Sequence, residues 1–134
     1  MNANTIANKY LDALEEANIE KVLSLFTPDA MVSSPLYGER KAADFYPELF
    51  EDTSSSKLTV NGVMEGKSTR ECTDLISIWF YFDWTLANGE PAPFNVVDVL
   101  EVDKDSRLIT KLNIVYDTFN IRSSFNLSKK QASL

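Results

Sequence analysis

One acidic residue sits where acids are seldom found. Asp98 lies in the run Val96-Val97-Asp98-Val99-Leu100, and on a pleated strand it shares a face with Val96 and Leu100. A carboxyl on an apolar face is costly to ionise, which raises its pKa and favours the neutral, proton-donating form. The alternative is an outward Asp98, ionised at a solvated edge or paired with Lys or Arg. Tyr10 lies on an apolar helical stripe with Ile6, Ala7, Leu11 and Leu14. Its hydroxyl is either a core group with a backbone partner or a second donor. Together, Tyr10 and a neutral Asp98 could give two hydrogen bonds to an enolate oxygen. They are the candidate catalytic pair.

What the chain lacks narrows the chemistry further. It has no histidine, which removes Ser-His-Asp and Cys-His catalysis and histidine metal sites. Asp103 and Asp105 lack the ligand spacing of a calcium loop and read as a solvated turn. Four scattered glycines make no phosphate cradle, so no cofactor and no metal is expected. The net charge of −7, with no basic run, argues against nucleic acid and against an anionic membrane surface. Cys72, the single cysteine, reads as a small apolar residue in a strand and is consistent with a reducing compartment. No leader-like apolar segment is evident, and the expectation is a soluble, cytoplasmic protein.

The elements that must position Asp98 and Tyr10 follow from periodicity. A first helix carries the Tyr10 stripe and is expected to be capped by Asn4 or Thr5. Asn18 caps a second, with Val22, Leu23, Leu25 and Phe26 apolar, ending at Thr27-Pro28. A short strand follows over 30–34, then a third helix over 39–52 that Pro47 should kink or break. From residue 57 the period becomes two, with strands over 57–66, 72–86, 94–103 and 107–117. Residues 54–56 read as a flexible connection, and Asn61-Gly62 as a β-bulge. Helices followed by a strand meander indicate an α+β class, three N-terminal helices on a curved antiparallel sheet. One domain over 1–127 is expected, with 128–134 a frayed C-terminal tail.

Strand parity suggests a cavity and an interface. Phe82, Trp84, Leu100, Leu112, Ile114 and Tyr116 have parities compatible with one pocket wall, and Phe45 and Tyr46 of the third helix would close its mouth. The same residues also make an ordinary core. Trp79 and Tyr81 fall on the opposite face of their strand, so both faces should be covered. Either a homodimer forms through the sheet face, or the segment with Phe119, Ile121, Phe125 and Leu127 folds over it.

Three stretches carry a family resemblance. "KYLDALEEANIEKVLSLFTPDAMVSSP", "YGERKAADFYPELF" and "VVDVLEVDKDSRLITKLNIVYD" resemble the opening helices, the glycine turn with its short helix, and the late hairpin of one group. That group is the SnoaL-like and ketosteroid isomerase branch of the nuclear transport factor 2-like superfamily, and the resemblance spans roughly residues 3–118. It implies a cone-shaped fold around an apolar cavity that takes a small hydrophobic molecule. Tyr10 and Asp98 match the isomerases' two oxyanion donors. The isomerase base, an aspartate, is replaced here by Ser34, which puts that mechanism in doubt. The group's polyketide cyclases rely on one late-strand aspartate, which Asp98 resembles. Two functions follow: cyclase- or isomerase-like acid–base chemistry on a carbonyl or enolisable ligand, or a non-catalytic dimeric interaction or carrier module of the same fold.

Overall fold

Asn2 starts the chain's first helix, two residues ahead of the expected caps. Its side chain accepts the Thr5 amide at 2.8 Å, and α1 then runs Ala3–Glu15. The computed structural model describes residues 1–132. The turn after α1 places Ala17 in left-handed geometry, φ 54°, so that Asn18 and Ala17 amides bond to Ala13 and Leu14 carbonyls. Asn18 caps α2, Ile19–Leu23, by accepting from Lys21.

Several boundaries differ from the periodic reading. α2 stops early because Phe26 already begins β1, Phe26–Ser34. Pro28 is tolerated there because the pairing of β1 with its neighbour is interrupted between Phe26 and Met31, where no ladder amide is required. Residues 39–41, expected as helix, belong to the short strand β2, Gly38–Lys41. α3, Ala42–Glu51, passes through Pro47 as one helix, carried by the buried Phe45, Tyr46 and Leu49. Residues 54–56 are not a flexible connection but part of β3, Thr53–Lys67. Cys72 is exposed in a turn with φ 61°, just before β4, Thr73–Leu86, and is not a packed strand residue.

The hairpin-linked strands β3, β4, β5 (Phe94–Asp103) and β6 (Ile109–Val115) form the antiparallel meander. The six-stranded order is β2-β1-β6-β5-β4-β3, and β1 lies parallel to β6, so the sheet is mixed rather than wholly antiparallel. The β3–β4 register slips between Val60 and Gly62, leaving Asn61 as the extra residue of a bulge. Such a bulge bends its strand and adds twist, which helps curl the sheet around the helices.

Burial along β4 alternates strictly. Ile76, Ile78, Phe80, Phe82, Trp84 and Leu86 face the core, with α1 and α3 packed on the same layer. Trp79 and Tyr81 point the other way and stay 47% and 36% exposed. The C-terminal segment does not cover that outer face. It forms a fourth helix, α4, Arg122–Ala132, whose Phe125 packs on Tyr37 and on the inward Trp84. Residues 128–132, expected to fray, are therefore helical. The remaining two residues of the expected tail lie outside the described residues. Among the described residues, no helix is long and apolar enough to cross a membrane.

Candidate functional site

Asp98 sits mid-strand in β5, in register with Ile78 of β4 on one side and Ile114 of β6 on the other. Its parity with Val96 and Leu100 turns the carboxyl inward, where it is 2% exposed. The outward alternative is thereby excluded. The Asp98 Oδ1 atom is buried and has no hydrogen-bond partner. Burial pushes the carboxyl pKa up to about 8, and the nearby Tyr10 hydroxyl offsets only part of that rise. At neutral pH the acid form therefore predominates, about ten to one.

Around this carboxyl lies a cavity of about 40 Å³, with Tyr10, Ser34, Phe80, Phe94 and Tyr116 among its lining. Its size suits on the order of a few water molecules. No Lys or Arg side chain lines it, so nothing there neutralises a carboxylate. The polar groups are hydroxyls. Tyr10 and Tyr46, from facing helices, share a hydrogen bond of 2.8 Å, in which either can donate. Burial, above all, raises both phenols well above their ordinary pKa, and ionisation of Asp98 at higher pH adds to that rise. Both therefore stay protonated. Burial likewise pushes the Tyr116 hydroxyl up, despite a hydrogen bond from Ser34 that favours its ionised form.

Ser34, the last residue of β1, accepts the amides of Leu36 and Tyr37 at 3.3 Å each. Its oxygen thus organises the turn into β2, a poor arrangement for a proton acceptor. Trp84 is fixed across the cavity by its indole N–H, which donates to Thr53 Oγ1 at 2.7 Å. Thr53 in turn donates to the Leu49 carbonyl at 2.6 Å.

The expected pocket residues divide into two groups. Tyr10, Asp98, Ser34, Phe45, Phe82, Trp84 and Tyr116 meet at the cavity. Leu100 and Leu112, although wholly buried, pack beside each other in the core away from it. Tyr46 is not at a mouth. It is fully buried, with its ring against Tyr10, Phe26 and Phe45. Tyr37 and Phe94 were missed. Phe94 stacks on Tyr116 at 3.9 Å and shares the parity of Val96 and Asp98, a signal the sequence does contain. Tyr37 looked like a turn residue, yet it lines the cavity and donates to the buried Asp52 at 2.7 Å. Among the described residues there is no cluster able to hold a metal ion.

Comparison with known proteins gives a consistent answer. The family description "SnoaL-like domain" matches residues 7–111. No curated protein sequence matches the chain. Among solved structures, PrhC from Penicillium brasilianum superposes with a TM-score of 0.76 at 16% identity, covering 97% of this chain and 90% of that one. An NTF2-like protein of unknown function from Cytophaga hutchinsonii gives 0.68 at 15% identity, covering 90% and 95%. The Δ5-3-ketosteroid isomerase from Mycobacterium sp. gives 0.65 at 21% identity, covering 87% and 93%. At these identities the likeness establishes the fold alone.

The raised pKa of Asp98 has a consequence for stability. Its folded value lies above its unfolded value of 3.8, so folding takes up a proton at intermediate pH. Stability from this group is complete below about pH 4 and is lost as pH rises to about 8, at about 1.4 kcal/mol per pH unit. The Asp98→Asn variant removes that slope, and at about pH 8 it should be more stable than the parent by roughly a few kcal/mol. Urea unfolding across pH measures both, and parallel pH profiles for the two proteins would contradict the assignment.

Proposed function

The chain belongs to the family of SnoaL-like domains, and on that premise we propose that its cavity binds a small neutral molecule through a carbonyl oxygen, with protonated Asp98 as donor. The observation that carries this reading is the buried, unpartnered Asp98 Oδ1 on the cavity wall. A native fold rarely leaves such an atom unsatisfied without a use for it. A carboxylic acid can donate to a carbonyl oxygen, and the absence of cationic lining disfavours an anionic ligand. Tyr10, whose hydroxyl burial keeps protonated, is a further polar group lining the same cavity.

These residues supply binding and polarisation. A carbonyl held by Asp98 in a water-poor site draws electron density toward its oxygen and acidifies the neighbouring carbon. Keto–enol exchange also needs an acceptor for the carbon-bound proton. Ser34 has no base partner and its oxygen is engaged by two amides, so an isomerase-type base is missing. Acid–base turnover would have to run through Asp98 alone, the cyclase-like arrangement.

A second reading has its own observation. Met64, Trp79, Tyr81 and Val115 leave an exposed apolar band on the outer face, with Trp79 and Val115 in one row across Val97. We propose that a second copy of the chain covers this band, whether or not the cavity catalyses anything.

Each reading has a test. With 2-cyclohexenone labelled with carbon-13 at its carbonyl, the parent should bind and shift the carbonyl resonance downfield. That binding should weaken as pH rises through about 8, where Asp98 loses its proton. Asp98→Asn should bind without that pH dependence, and Asp98→Ala should lose the shift. Equal, weak binding by all three proteins at every pH would sink the proposal. For the outer face, Trp79→Lys should convert a dimer to a monomer in analytical ultracentrifugation, and a parent that is already monomeric refutes the dimer.

A further inference from the structure

α4 lies beyond the residues matched to the family, yet it packs behind two residues that line the cavity. Phe125 makes ring contacts with Tyr37 at 5.3 Å and with Trp84 at 5.9 Å between centroids, and both partners line the cavity. Ile121 at the helix entry is buried beside it. The cavity is far smaller than the ~300–1,000 Å³ typical of small-molecule sites. A ligand larger than a few atoms therefore requires some wall to move.

The sheet walls are poor candidates for movement. Trp84 is tied to Thr53, and Thr53 to the α3 backbone. Phe82, Phe94 and Trp84 also pack on one another. α4 is held differently. Among the described residues, no backbone hydrogen bond joins it to any other element. Its attachment is through side chains: Lys129 Nζ lies 3.1 and 3.2 Å from the two oxygens of Asp52 and 3.4 Å from Glu48. Arg122 donates to the Pro35 carbonyl at 3.2 Å, and Gln131 accepts from Asn88 at 2.6 Å.

Asp52 makes this attachment report on the cavity. It is buried at the C-terminal end of α3, and its Oδ2 accepts both the Tyr37 hydroxyl and the Lys129 ammonium. The Lys129 ammonium also sits 6.0 Å from the centre of the Tyr37 ring. The Lys129–Asp52 ion pair thus bears on both the helix and a cavity-lining aromatic. We propose that α4 is the gate of the cavity: Lys129 latches it to Asp52 and Glu48, and Phe125 sets the upper size of molecule admitted. This rests on the carbonyl-binding reading for what enters, but the gate itself can be measured with no ligand present.

In a Trp79→Phe background Trp84 is the sole tryptophan, so its acrylamide quenching reports gate opening. Lys129→Met should raise that quenching several-fold and make the α4 amides exchange about tenfold faster than in the parent, with β4 and β5 unchanged. Salt at about 1 M should reproduce part of the effect in the parent and none in Lys129→Met. Phe125→Ala should bind the bulky naphthyl ketone Prodan at least about tenfold tighter than the parent, the equivalent of ~1.4 kcal/mol. The gate is refuted if α4 amides exchange only through global unfolding, or if Lys129→Met leaves Trp84 quenching unchanged. Should cyclohexenone still bind through Asp98 in that case, the site survives without its gate. Should α4 open as described while neither ketone responds to Asp98 substitution, the gate survives and the carbonyl site falls.

Discussion

A carboxyl group enclosed among aromatic and aliphatic side chains, with no cation beside it, is the constraint on which the rest of the structure turns. Ionising Asp98 would place a charge in a low-dielectric interior with one tyrosine as relief. The fold meets this cost by keeping the acid neutral, which converts an acceptor into a donor. Everything that excludes water from Asp98 contributes: the β4 aromatics, the Phe94–Tyr116 stack, and the tyrosine pair of α1 and α3. Admitting a Lys or Arg near this position would reverse the chemistry, since a paired carboxylate accepts hydrogen bonds and does not donate them.

The polar hardware is divided by depth. Inside are hydroxyls and one neutral acid, groups suited to an uncharged oxygen. Toward the C-terminal end of α3 are full charges, with Arg40 and Lys129 arranged about Glu48 and Asp52. Burial works against the Lys129 ammonium, but its hydrogen bonds to Asp52 and Glu48 and their charges hold its pKa above the ordinary value. Ion pairs at this partly solvated rim can break and reform at modest cost, whereas charges deep in the cone could not. This division lets α4 be fastened to α3 without placing a charge in the cavity.

Parts of this arrangement are legible in the amino-acid sequence for identifiable reasons. The inward turn of Asp98 follows from its strict alternation with Val96 and Leu100, and β5 is found over 94–103 because its apolar pattern has one period throughout. The Asn61 bulge is marked by its glycine neighbour. Other parts leave no local signal. β2, with the sequence Gly-Glu-Arg-Lys, is held by pairing with β1, not by burial of its own side chains. The parallel β1–β6 contact joins residues some eighty positions apart, so no nearby pattern encodes it. Leu100 and Leu112 have the parity of cavity residues, but depth along the cone, which parity does not report, places them in solid core. α4 is largely polar, and only its register against Tyr37 and Trp84 gives Phe125 a role.

The central claim is that Asp98 carries a proton at neutral pH, and carbon-13 NMR of its side-chain carboxyl addresses this without any ligand. With aspartate labelled at the side-chain carbon, and Asp98→Asn used to assign the resonance, the chemical shift is followed from about pH 3 to about pH 10. The structure predicts a protonated carboxyl at neutral pH and a titration midpoint near 8. A midpoint near 3.8, the ordinary aspartate value, would mean a charged and solvated Asp98 and would contradict the donor role on which the proposed binding chemistry rests.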